Sequence, residues 1–102
     1  MKKEKYQLSE MNAADYYGKL VPGSGNTSHN KGDVVGVGIY RDLRVENKFT
    51  EKKSFSLNKD YLRKIIKESL VLHGTELIMR IDFSGETYIV MREDHFRNIC
   101  DG

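Results

Sequence analysis

Two strand-like segments separated by only two residues constrain the fold of this chain most strongly. Residues 34–40, VVGVGIY, are β-branched and glycine-spaced, and residues 43–50, LRVENKFT, alternate in polarity. Because only Arg41 and Asp42 lie between them, the pattern predicts a β-hairpin. The side chains of the second strand divide into a mostly apolar face and a charged face, namely Leu43, Val45, Asn47 and Phe49 against Arg44, Glu46 and Lys48.

Helical and strand patterns flank this hairpin. In chain order they predict a helix over residues 8–17 capped by Ser9, a polar loop over 19–33, an amphipathic helix over 59–73, a strand pair over 77–83 and 87–92, and a short helix over 94–100 capped by Asp94. The expected fold class is α/β, with a mixed β-sheet flanked by helices in the order α-β-β-α-β-β-α.

Length and composition limit the function classes. A chain of 102 residues suits one domain over residues 1–102. No apolar run approaches the roughly 20 residues that cross a bilayer, and the first ten residues lack the apolar stretch of a signal peptide. A single cysteine, Cys100, suits a reducing compartment. We therefore expect a cytoplasmic protein without a membrane partner, and a net charge of only +2 does not by itself indicate nucleic acid.

Three residues of the hairpin region form a candidate catalytic group. Asp33 lies where the polar loop meets the first strand, and Glu46 and Lys48 share one face of the second at roughly 6 to 7 Å. A neighbouring strand can bring Asp33 beside Glu46. Two converging carboxylates suit Mg²⁺, and a lysine ammonium can stabilise charge on a scissile phosphate. Since the chain has 15 acidic and 17 basic residues, solvated strand charges are the alternative interpretation.

The surrounding sequence resembles the PD-(D/E)XK nuclease superfamily, also called restriction-endonuclease-like, and within it the small Holliday junction resolvase-like endonucleases of phages and archaea. The resemblance runs from about Glu10 to near His73. Its matching residues are Ser24 and Gly25 in a polar loop, Asp33 entering a strand, Glu46 and Lys48 on the next strand, and then Thr50, Ser54, Phe55 and Ser56 before a helix. Two positions depart from it, since Gly32 replaces a proline and Asn47 replaces an apolar residue or cysteine.

The resemblance implies roles for individual residues. Asp33 and Glu46 correspond to metal-binding carboxylates, and Lys48 corresponds to the catalytic lysine. A further acid from the first helix matches Glu10 best, with Glu4 and Asp15 as alternatives. The implied cofactor is Mg²⁺, with Mn²⁺ able to substitute.

Other polar residues are candidates for contacts with DNA phosphates. They are Ser24, Thr27 and Lys31 in the loop, and Lys52, Lys53, Lys59 and Arg63 after the active-site strand. Turn chemistry and a solvated helix face are the alternative interpretations, and a solvated loop position is the preferred one for His29.

The expected function is a Mg²⁺-dependent endodeoxyribonuclease that resolves Holliday junctions and leaves 5′ phosphates. The approximate two-fold symmetry of a four-way junction favours a homodimer. The alternatives are a non-catalytic protein that binds branched DNA, and a nicking or mismatch-directed nuclease of the same fold. The resemblance also suggests a phage origin, in which case the protein acts in the host cytoplasm.

Overall fold

The computed structural model describes residues 4–20, 34–73 and 76–101, except for the side chains of Ser69 and of residues 71–73. The elements are α1 (Lys5–Tyr17), β1 (Gly18–Leu20), β2 (Val34–Gly36), a 3-10 helix (Gly38–Tyr40), β3 (Leu43–Phe49), α2 (Lys59–His73), β4 (Glu76–Asp82), β5 (Thr87–Val90) and α3 (Glu93–Asp101). Among the described residues, no helix is both long enough and apolar enough to cross a membrane.

The five strands form one mixed sheet in the order β1-β2-β3-β4-β5. The pair β3–β4 is parallel, and the other three neighbouring pairs are antiparallel. Because parallel strands need a crossover connection, α2 lies between β3 and β4 in the chain. The structure thus confirms an α/β fold with a mixed sheet and helices.

Helices cover both faces of the sheet. On one face Ala13 and Ala14 of α1 pack with Val34, Val45 and Ile78. On the other face the core residues are Ile65 of α2 together with Leu77, Met79 and Ile81 of β4. Since β4 contributes buried residues to both clusters, it is the most enclosed strand, as its apolar sequence LIMRID leads us to expect.

The order of elements differs from the prediction at one place. A third strand, β1, follows α1 directly and pairs with β2 through Gly18↔Gly36 and Leu20↔Val34, so the order is α-β-β-β-α-β-β-α. The sequence analysis wrongly assigned Lys19 and Leu20 to the loop. Three residues are too few to show the alternation of polar and apolar side chains that identifies a strand, and the conformation of β1 is fixed by its partner strand.

Several element boundaries were also wrong, and three of them change the role of a named residue. Helix α1 starts at Lys5 with Glu4 as its N-cap, where the Glu4 carboxylate and the Gln7 side chain form a capping box, so Ser9 is not a cap. Strand β2 ends at Gly36 because the chain turns into a 3-10 helix, where Gly38 has a φ of +67°. Helix α3 starts at Glu93, so Asp94 lies in its first turn.

Candidate active site

Glu46 and Lys48 lie together on the face of β3 that α2 covers. The distance between Glu46 Oε1 and Lys48 Nζ is 3.3 Å, and the two side chains are 16% and 35% exposed. Because side chains alternate between the two faces along β3, Glu46 and Lys48 lie on the other face of the sheet from Val45 and Asn47, which face α1. The pair predicted from sequence is therefore present as a partly enclosed acid–base pair.

The surroundings of Lys48 keep its side chain protonated. Burial lowers the pKa of Lys48, but attraction to the Glu46 carboxylate and hydrogen bonding with Tyr61 outweigh it, so that the pKa lies above its usual value. The Lys48 ammonium is also 5.9 Å from the centroid of the Tyr61 ring, within the range of a cation–π contact. Lys48 is thus a cation at neutral pH, suited to stabilising negative charge and unsuited to acting as a base.

Asp33 lies outside the described residues, as do Ser24, Thr27, His29 and Lys31. The chain that follows Asp33 is described, however. Strand β2 begins at Val34 and pairs antiparallel with β3, with Val34 opposite Val45. Val34, which follows Asp33 in the chain, is therefore paired with Val45, which precedes Glu46.

The acidic candidates of the first helix lie on α1, which packs on the other face of the sheet. Glu10 is half-buried and follows Ser9, whose side chain points into the interior, whereas Glu4 and Asp15 are exposed. The apolar core contacts of α1 are with Val34, Val45 and Ile78, whereas the Glu46–Lys48 pair lies on the α2 side. The structure does not bring these acids into one group with Glu46.

The predicted DNA-binding lysines and arginine divide between two clefts. Lys52 and Lys53 line a cleft of about 610 Å³ with Phe83 and Tyr88. Lys59 and Arg63 line a separate apolar groove between α2 and the β4–β5 side of the sheet. Two of these four residues therefore border one cleft, and the other two border the second.

A buried polar network is the feature that sequence analysis missed. Ser9 Oγ donates a hydrogen bond of 2.6 Å to Asp82 Oδ2 and accepts one of 2.9 Å from Asn47 Nδ2. Arg80 donates to Asn47 Oδ1 at 2.7 Å. These contacts join α1, β3 and β4 in the interior, where a satisfied network fixes one arrangement of the elements. Two sequence features indicated such a network. Asn47 lies on the apolar face of its strand, and Arg80 and Asp82 are two residues apart within the otherwise apolar sequence of β4.

Tyr61 was also missed as a neighbour of the site. The amphipathic pattern of residues 59–73 puts Tyr61 on the apolar stripe of the helix, but in the structure its ring borders Lys48. Its aromatic side chain is ambiguous in a helix pattern, because the ring packs as an apolar group while the hydroxyl is a hydrogen-bonding group.

The donor set suits a hard cation only in part. In residues 4–20, 34–73 and 76–101, no three His, Cys, Asp or Glu side chains converge as a metal-binding group. A Mg²⁺ site commonly uses one or two carboxylates, with waters and substrate phosphate oxygens completing six ligands. Glu46 supplies one such carboxylate from β3, and the neighbouring Lys48 ammonium also attracts phosphate.

Comparisons with protein-family models, with curated proteins and with solved structures found no match to this chain.

Proposed function

We propose that this protein is a metal-dependent endodeoxyribonuclease that cuts branched DNA, with four-way junctions as its substrate class. The observation that carries the proposal is the Glu46–Lys48 pair. Its members share one face of β3 at 3.3 Å, and β3 pairs with the strand that follows Asp33. A mixed sheet with helices on both faces also accords with the nuclease fold that the sequence resembles.

Each residue has a distinct task in the proposed reaction. Glu46 and Asp33 would hold Mg²⁺, which activates water and neutralises phosphate charge when bound. The Lys48 ammonium contacts the scissile phosphate and stabilises the negative charge that grows on its oxygens. Tyr61 positions Lys48 through the hydrogen bond and the ring contact. Because Glu46 and Tyr61 both favour the charged form, Lys48 remains a cation throughout the neutral pH range.

The substrate is proposed from charge and symmetry. Lys52 and Lys53 follow β3 and are exposed, so their ammonium groups can contact the phosphates that lie beyond the scissile one. A four-way junction has arms related by approximate two-fold symmetry, and a symmetric homodimer would offer two such sites to opposite strands.

The test is cleavage of a labelled four-way junction and of a linear duplex of matched sequence, in Mg²⁺ and in EDTA. We expect paired cuts near the branch point of the junction, abolished by EDTA. Equal cutting of both substrates would support the nuclease activity but refute the preference for junctions. Binding of the junction without cutting, in Mg²⁺ and in Mn²⁺, would refute the nuclease and favour a non-catalytic DNA-binding protein.

A further inference from the structure

An apolar groove of about 870 Å³ runs between α2 and the β4–β5 side of the sheet. Its apolar lining includes Leu62, Ile66, Leu70, Val90 and Met91, and its described basic residues are Lys59, Arg63, Lys67 and Arg92. Among the described residues that line the groove, none is acidic. The groove therefore suits an occupant with an apolar stripe and a negative net charge.

Helix α3 has those two properties and is not packed against its own chain along its apolar stripe. No residue of Glu93–Asp101 is buried. Phe96 and Ile99 are 47% and 56% exposed, and Cys100 is also exposed. At 100° per residue these positions, i, i+3 and i+4, lie on one side of the helix. The helix contacts its own chain through His95, which is half-buried beside Glu76, and through Asp94, which pairs with Arg92 at 3.4 Å.

The charges of the helix and the groove are opposite. Helix α3 carries three acids and one arginine: Glu93, Asp94, Asp101 and Arg97. With His95 neutral its net charge is negative, whereas the described charges that line the groove are all positive. Attraction of this kind favours encounter and disfavours like-charged partners.

The size of the groove also suits a helix. A helix about 10 Å wide with a pitch of 5.4 Å fills about 420 Å³ per turn. A groove of about 870 Å³ is thus comparable in volume with two turns, and α3 has nine residues. An amphipathic helix that anchors i, i+3 and i+4 side chains in an apolar groove is a recurrent mode of recognition.

We propose that the Phe96–Ile99–Cys100 stripe of α3 docks in this groove on a second copy of the chain, reciprocally, in a two-fold dimer. Arg92 lines the groove and α3 begins at the next residue, so the helix and groove of one chain are neighbours. When two copies exchange their α3 helices about a two-fold axis, the two helix–groove contacts are therefore adjacent and form one continuous interface. Lys59 and Arg63 act in this contact, which leaves the DNA phosphates to Lys52 and Lys53. The inference deepens the homodimer of the proposed function and is independent of catalysis.

Two variants of the full chain test the two halves of the contact without DNA. Phe96→Glu alters the helix, and Leu70→Glu alters the groove. Both residues are exposed within one chain, so we expect each variant to retain the fold of the monomer. Ile39→Glu is the matched control, because Ile39 is exposed and lies neither on α3 nor in the groove. Sedimentation equilibrium measures the mass of each protein against the 11.8 kDa chain.

We expect the wild type and Ile39→Glu to have twice the chain mass, and each of the other variants to dissociate at least tenfold more readily. An equimolar mixture of Phe96→Glu and Leu70→Glu should form more dimer than either variant alone, because the mixed dimer keeps one intact helix–groove contact. A monomeric wild type overturns the proposal. A dimeric Leu70→Glu also overturns it, because the interface would then not include the groove.

Discussion

The ammonium of Lys48 lies 3.3 Å from the Glu46 carboxylate, on the sheet face that α2 covers. The first prediction concerns this pair. Burial lowers the pKa of Lys48, attraction to Glu46 is the largest single effect that raises it, and Tyr61 raises it as well. Glu46→Gln should therefore lower the pKa of Lys48.

The measurement is an NMR titration of the Lys48 Cε and Hε signals, with Lys64, an exposed residue of α2, as the internal reference. An unchanged Lys48 pKa in Glu46→Gln would show that the two side chains do not interact in solution.

The second prediction concerns the hydroxyl of Ser9. Ser9→Ala removes the donor to Asp82 and the acceptor for Asn47, and it leaves both buried partners with one contact fewer. Loss of a buried hydrogen-bonding partner costs about 1 to 3 kcal/mol, so the free energy of unfolding in urea should fall by that amount. Ser56→Ala, at an exposed position before α2, should change it little. Equal stability of the two variants would contradict the network.

The third prediction is a loss of stability in acid. Burial raises the pKa of Asp82, but hydrogen bonds from Ser9 and from the Gly85 amide, together with Arg80, outweigh it and hold the pKa below its usual value. A depressed pKa contributes stability that is present above the unfolded-state pKa, about 3.9, and is lost as pH falls through the folded-state pKa.

Asp82→Asn should therefore show a weaker decline in unfolding free energy below pH 4 than the wild type does. Asp94→Asn, at an exposed position on α3, is the control and should follow the wild-type curve. Parallel curves for Asp82→Asn and the wild type would contradict this assignment.

The fourth prediction tests the close approach of β2 to the 3-10 helix that follows it. A Cβ atom on Gly36 would collide with the carbonyl oxygen of Tyr40, which is backbone and cannot move aside cheaply. Gly36→Ala should therefore destabilise the protein by at least 1 kcal/mol, as overpacking in a filled interior typically does. Val35→Ala, an exposed neighbour, should cost less. Similar melting temperatures for the two variants would contradict the close approach.

Local patterns predicted the elements whose side chains follow one clear period. Helix α2 was predicted over residues 59–73 and has those bounds, and β3 was predicted over 43–50 and ends one residue earlier. Both predictions hold because the apolar period of each segment agrees with the face that it buries.

The elements that sequence did not predict depend on contacts between distant residues. Strand β1 forms by pairing with β2, and Ser9 was mistaken for a helix cap because its actual partner, Asp82, is 73 residues away. In the candidate site, the pairing of Glu46 with Lys48 followed from strand alternation alone. The approach of Tyr61 to Lys48 did not, because it depends on how α2 crosses the sheet.

The most direct test of the central claim is the single-turnover rate at which a four-way junction is cut in Mg²⁺ by the wild type, Lys48→Ala and Lys64→Ala. Removing one preorganised donor to transition-state charge costs about 10² to 10³ in rate. We predict a loss of that size for Lys48→Ala, with junction binding retained, and a near-normal rate for Lys64→Ala. Equal cutting by wild type and Lys48→Ala would contradict the assignment of Lys48 and of the site built around it.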